Sequence, residues 1–244
     1  NAGVTGALPW FRYVLLTDAL VDNLTPHQVE AVFGHEVGHI AHRHLSYFGF
    51  FFLGSVGVMA LVQVKIQDYL NSTDLGTWLT QLLGGSDSMM TLAAQATVVL
   101  SCLALYFLVV FGYLSRRFER QADVFGCRTV SCGRLACPPH LDLNASPEGE
   151  GEEKNTDLCP AGIRIFASAL ADVAALNGME RESWWAWRHG SIARRIAFLE
   201  ALEGRPEAER KFQRGVRTLR LGLAVVLASA VFFAAYTGAL DRLH

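Results

Sequence analysis

The sequence predicts a mainly α-helical fold in which integral-membrane helices are joined to a helical domain with a small β-sheet beside its motif-bearing helix. Three observations carry this. Hydrophobic residues make up 51% of the 244 and charged residues only 18%, which is too apolar for an ordinary soluble domain. Three stretches, Tyr47 to Val64, Leu92 to Leu114 and Leu221 to Leu240, are apolar over close to the ~20 residues that a helix needs to cross a bilayer. A short aromatic and branched segment, Phe11 to Thr17, reads as a strand ahead of a helix that carries His35-Glu36-Val37-Gly38-His39.

Taken in order, the chain opens at Asn1 with no charged n-region or small-residue cleavage site, the pattern of a fragment that begins inside a domain. After the strand, Asp18 to Asn23 leads into the motif helix. Thr25 stands at its N-cap, Pro26 at its first position and Gln28 three residues past the cap, which is a capping box with a proline start. That helix is expected to run from Thr25 to Leu45. The first apolar stretch contains Gly49, Gly54 and Gly57, so a buried core helix is its alternative reading. Residues 138–162, rich in Pro, Gly, Asn and acidic residues, cannot bury much and read as a surface loop. A further helix from Ser191 to Glu203 stops near Gly204 and Pro206.

Four parts follow: residues 1–46 as the first half of a soluble domain, 47–114 as two transmembrane helices with an external loop, 115–220 as its second half with the acidic loop, and 221–240 as a third transmembrane helix. Asp68 to Thr91 contains no Lys or Arg, whereas Ser115 to Arg220 holds most of them. The positive-inside rule therefore puts the former outside and returns both soluble parts to the cytoplasmic face, where they can build one site. Arg214, Arg217 and Arg220 mark the inner boundary of the third crossing. The bilayer is the expected partner. A net charge of -2 gives no basic field, so nucleic acid is not expected.

His35 and His39 are four apart on a helix and present two imidazoles to one point. That suits one zinc ion with a third protein donor and a fourth place left for water. Glu36 beside them fits the base that takes the water proton and passes it to a leaving amine. A closed, purely structural zinc site has no need of a glutamate there. His42 and His44 follow on the same expected helix, but the HExxH pattern assigns the metal to the earlier pair. For the third donor, Glu119 is the best candidate, with Asp123 one turn later able to fix the tautomer of a zinc-bound histidine. Both acids could equally pair with Arg116, Arg117, Arg120 or Arg128 on a solvated helix face. Spacing alone leaves the two readings even.

HEVGH, two apolar helices, Ser115-Arg116-Arg117-Phe118-Glu119-Arg120-Gln121-Ala122-Asp123, and His189-Gly190-Ser191-Ile192-Ala193-Arg194-Arg195-Ile196 together resemble the membrane metallopeptidase family that includes the HtpX proteases and the CAAX prenyl endopeptidases. The resemblance covers nearly the whole chain. It implies a zincin-type catalytic domain of the gluzincin kind, one Zn2+ per chain, Glu119 as third ligand and Asp123 as orienting residue. It also implies that His189 and Arg195 help bind substrate and stabilise the oxyanion, where a donor is commonly worth several kcal/mol. Gly190 stands where the family usually has proline. A structural histidine beside Trp184, Trp185 and Trp187 is the alternative for His189.

The Asn1-Ala2 pair resembles the family's entry into a strand on the substrate side, and Tyr13 to Thr17 is the candidate edge for holding a polypeptide by strand addition. The resemblance implies a peptide-bond hydrolase of the bacterial inner membrane, with membrane-protein quality control preferred over CAAX processing. A silent scaffold that retains its zinc site is the alternative of another class. Cys102 falls in a membrane helix, and Cys127, Cys132, Cys137 and Cys159, on the expected cytoplasmic side, are expected as reduced thiols; a second, structural zinc held by the last four is the alternative, against which they lack the CxxC spacing.

Overall fold

The computed structural model describes residues 2–6, 9–86, 88–131, 158–179 and 189–236. Strands β1 (Ala2–Thr5) and β2 (Tyr13–Leu16) are followed by helices α1 (Asp18–Asn23), α2 (Pro26–Ala41), α3 (His44–Ser72), α4 (Asp74–Leu82), α5 (Met89–Tyr106), α6 (Gly112–Thr129), α7 (Pro160–Leu176), α8 (Ile192–Glu200) and α9 (Pro206–Tyr236). The chain divides into two compact units, residues 1–46 with 112–217, and 47–111 with 218–244.

In the first unit β1 and β2 pair antiparallel, Ala2 opposite Leu16 and Thr5 opposite Tyr13. The strand is shorter than Phe11 to Thr17, because Pro9–Phe11 forms a 3-10 turn. That turn folds so closely onto Gly6 (φ +94°) that a Cβ there would lie 1.8 Å from the Phe11 carbonyl oxygen; only glycine fits. The capping box is present: Thr25 Oγ1 accepts from the Gln28 backbone N–H, and the Gln28 side-chain oxygen accepts from the Thr25 N–H at 2.8 Å. The amide nitrogen of Gln28 then donates to Asp172 at 2.6 Å and Ser168 at 3.0 Å, so one residue both starts α2 and ties it to α7.

The motif helix ends at Ala41, not at Leu45. Arg43 adopts a left-handed backbone (φ +55°), which an L-residue enters at a cost of ~1–2 kcal/mol, and α3 begins at His44. Small residues set how closely α2 lies on α6. A Cβ on Gly38 would sit 3.1 Å from the Ala122 Cα, and one on Gly126 would sit 2.7 Å from the Ala31 oxygen and 3.0 Å from the His35 nitrogen. Below this contact Ala31, Val124, Cys127, Ile163, Phe166 and Leu199 form the main core. Leu20, Leu24, Val32 and Ala169 form a smaller one.

Two helical runs, His44–Ser72 and Met89–Thr129, are long and apolar enough to cross a membrane, and in each only 11% of the apolar window is buried. Such low burial speaks against the buried-core reading of α3, since a core helix would be covered. The second apolar stretch passes through a π-helical turn at Phe107–Phe111 into α6, whose polar part from Ser115 onward lies beyond it. Phe51 stacks on Tyr106 with centroids 5.6 Å apart. A Cβ on Gly54 would lie 2.8 Å from Leu227 Cδ2, so that glycine admits α9 closely, as small residues do between membrane helices. The third expected crossing is helical as far as Tyr236; 237–240 lie outside the described residues. The expected external loop contains a helix that its sequence did not announce, α4, capped by the Thr73 hydroxyl.

Candidate metal centre

Residues 31, 35 and 38 share one face of α2, and 119, 122 and 126 share one face of α6. The small members of each set let the backbones close, and the remaining members are His35 and Glu119. His35 Nε2 and His39 Nε2 lie 3.2 Å apart, Glu119 Oε2 lies 3.6 Å from the former, and Glu119 Oε1 lies 3.8 Å from the latter. Tetrahedral zinc with nitrogen and oxygen ligands at ~2.0–2.1 Å has ligand-to-ligand edges of ~3.3 Å. The triangle is therefore the right size to within a few tenths of an ångström. Two imidazoles and a carboxylate are also a donor set that zinc accepts, and His35, His39 and Glu119 are the group found among the described residues with metal-holding geometry.

Both imidazoles turn Nδ1 outward. His35 Nδ1 lies 2.9 Å from Asp123 Oδ1, a close charge contact whose N–H direction is not aligned with the oxygen. Asp123 is fully buried and is gripped by Arg195, Nε to Oδ2 at 2.9 Å and Nη2 to Oδ1 at 2.5 Å. His39 Nδ1 lies 2.9 Å from Nδ1 of His44, a buried ring stacked on Phe118. His189, more than half exposed, brings Nδ1 to 2.9 Å from Glu119 Oε1. Arg195 Nη1 stands 3.8 Å from Glu119 Oε2. Glu36 is half-buried.

These neighbours set the charges. Burial opposes ionisation of Glu119, but the hydrogen bond from His189 and the positive charges of Arg195 and His35 hold its carboxyl well below the usual range. Asp123 is likewise held low, against its burial, by Arg195 and His35. Burial disfavours charge on His35, yet the Asp123 contact overcomes it and raises its pKa. For His39, burial and the His35 charge outweigh the carboxylates of Glu119 and Asp123 and push it down to about 4. Burial raises Glu36, the direction that suits a carboxylate which must take up a proton.

Of the residues singled out in the sequence, His35, His39, Glu119, Asp123, His189 and Arg195 come together here. Asn1, Cys132, Cys137, Trp184, Trp185 and Trp187 lie outside the described residues. Cys127 and Cys159 are buried thiols without a disulfide, and burial pushes the Cys127 thiol well up. What the sequence missed is the contact of His44 with His39, because its only signal is the break at Arg43.

The family model described as "Peptidase family M48" matches residues 1–203. The chain belongs to peptidase family M48. Among curated proteins, this M48 chain is 25% identical to "Protease HtpX" of Pseudomonas syringae pv. syringae over 139 residues, covering 55% of the chain and 43% of that protein. It is 32% identical to "Protease HtpX homolog 1" of Streptomyces coelicolor over 125 residues, covering 50% and 37%. The matched part thus spans less than half the length of these relatives. No solved structure matches the M48 chain.

Proposed function

We propose that this M48 peptidase is a zinc-dependent membrane endopeptidase whose metal is held by His35, His39 and Glu119. The observation that carries the reading is the convergence of these three donors within zinc's ligand spacing, with Glu36 next in sequence to the first. Zinc bound there supplies Lewis acidity toward a water and toward the scissile carbonyl. Glu36 takes the water's proton and delivers it to the departing amine, a role its burial-raised pKa supports. Asp123, held by Arg195, orients His35. His189, more than half exposed, serves as a donor to the developing oxyanion. Arg195 reinforces that electrostatic field from behind Glu119.

A polypeptide in extended form is the substrate this arrangement favours. β2 pairs with β1 alone among the described residues, and Tyr13 and Leu15 are exposed along it, which suits strand addition. We read residues 1–46 and 115–220 as the catalytic part, 47–114 and 221–240 as the membrane part. The Lys and Arg distribution supports a cytoplasmic site at a bacterial inner membrane. Membrane proteins, cleaved in quality control, are the substrates such a site would meet.

The test is zinc content and cleavage of an unfolded protein by the purified chain in detergent, comparing wild type with Glu36→Gln. Zinc retained in both, with cleavage reduced roughly 10²–10⁴-fold in the variant, supports the reading. Zinc bound but nothing cleaved by wild type, a prenylated peptide included, favours a silent scaffold. No zinc in wild type means that the ligand assignment is wrong.

A further inference from the structure

Resting on the metal-centre reading, we infer that His44 is a positioning residue: it accepts the Nδ1–H of His39 and so fixes the tautomer that turns His39 Nε2 toward the metal.

The geometry has three links. His44 Nδ1 is 2.9 Å from His39 Nδ1, His44 Nε2 is 3.1 Å from Gln121 Oε1, and the Gln121 amide nitrogen donates to Gln213 Oε1. A neutral imidazole carries one N–H and one lone pair. With Gln121 oriented to give its nitrogen to Gln213, its oxygen faces His44 and calls for a donor at His44 Nε2. The lone pair of His44 is then at Nδ1, facing His39. His39 must therefore carry its proton on Nδ1, which leaves Nε2 free to ligate. The opposite proton order along the chain would place a proton on His39 Nε2 and block it, so metal binding and the amide orientation select the same direction.

The ring is held for this task. His44 is 1% exposed and lies flat on Phe118, centroids 4.3 Å apart and planes 5° apart. Its reach depends on Arg43. On an uninterrupted helix, five residues at ~100° each would carry His44 about 140° around the axis from His39. The left-handed Arg43 (φ +55°) ends α2 and brings the ring back; strained backbone of this kind clusters at functional sites. The two histidines thus receive unlike support, an ionised Asp123 behind His35 and a neutral, relayed acceptor behind His39. Outer partners of this type usually change metal affinity by 10–100-fold.

The experiment titrates the metal-stripped full chain in detergent with zinc against a chromogenic chelator, with circular dichroism of the metal-free proteins as control. His44→Phe keeps the stack and removes the acceptor; its zinc Kd is expected to rise roughly 10–100-fold. His44→Asn, whose amide oxygen stands near the position of Nδ1, is expected to recover most of that loss, which a merely structural role would not predict. Gln121→Met leaves the ring in place, frees its tautomer and is expected to weaken binding in the same direction by less. A folded His44→Phe with wild-type affinity, or His44→Asn as weak as His44→Phe, overturns the inference. Should His44→Phe not fold, unchanged affinity in Gln121→Met overturns it. Wild type that takes up no zinc sinks the metal-centre reading and this inference with it, whereas wild-type uptake with indifferent variants sinks this inference alone.

Discussion

Arg195 and Asp123 form a two-pronged ion pair in the interior, with exposures of 8% and 0% and two nitrogen-to-oxygen contacts at 2.9 and 2.5 Å. Neither charge is tolerable there alone, since burying one uncompensated ion costs several kcal/mol. Together they form a neutral pair whose carboxylate is held facing His35. Arg195→Met is therefore expected to destabilise the protein by about 3–5 kcal/mol. Arg195→Lys keeps a charge but loses the fork that matches a carboxylate, and is expected to fall between wild type and Arg195→Met. Denaturation in detergent measures both. If Arg195→Met shifts stability by no more than an exposed substitution does, about 0.5 kcal/mol, the pair does not carry the weight its burial implies.

The contact between α2 and α6 gives a second expectation. A methyl group on Gly126 would lie 2.6 Å from Phe166 Cε2, 2.7 Å from the Ala31 oxygen and 3.0 Å from the His35 nitrogen, and two of these are backbone that cannot swing away. Gly126→Ala is expected to cost about 1–3 kcal/mol and to weaken zinc uptake as His35 moves from Glu119. Gly215 in α9 has nothing within 4 Å of the same position, so Gly215→Ala is expected to stabilise by about 0.5–1 kcal/mol through helix propensity alone. Thermal melts of the two variants in opposite directions would establish that the glycine at 126 is there for close approach. A neutral Gly126→Ala would refute it.

What could be read from sequence was what short range encodes. The capping box at Thr25 and Gln28, the two imidazoles at 35 and 39 and the apolar lengths of α3 and α5 each depend on residues a few positions apart. The metal triangle joins α2 to a residue 80 positions away only through the resemblance, since spacing left Glu119 even with a solvated ion pair. Arg195 and Asp123 are separated by 72 positions, and nothing around either names the other. The turn at Arg43 has no local signal because arginine carries no left-handed preference, so in sequence the motif helix continues to Leu45 and nothing points His44 at His39. The 3-10 turn at Pro9 similarly shortened a strand whose residue types alone favoured β.

At the start of α2 the Thr25 cap should be measurable apart from the tie to α7. Thr25→Ala removes one acceptor for the Gln28 N–H and is expected to cost about 1 kcal/mol. Gln28→Ala keeps the backbone N–H but removes the side-chain oxygen that accepts from the Thr25 N–H and also the donor to Asp172 and Ser168, so it is expected to cost more, by about another 0.5–1.5 kcal/mol. Urea midpoints of the two single variants and the double variant check this. If the double variant equals the sum of the singles, the cap and the tie act independently and the shared role of Gln28 is wrong.

The unlike surroundings of the two histidines predict how zinc uptake depends on pH. A metal needs both imidazoles neutral. His35, raised above 6.5 because Asp123 outweighs its burial, binds a proton first as the pH falls, and zinc must displace that one proton. His39, lowered to about 4 by burial and by the His35 charge, stays neutral until far more acid conditions, and Glu119 stays ionised throughout. Above the pKa of His35 affinity is flat; below it the logarithm of the zinc association constant is expected to fall by one per pH unit, reaching a slope of two only near pH 4. Chelator competition between pH 8 and pH 5 measures the slope. Two protons displaced per zinc at pH 5.5 would mean that His39 titrates in the ordinary range beside His35, and that the division between a charged partner for one and a neutral partner for the other does not hold.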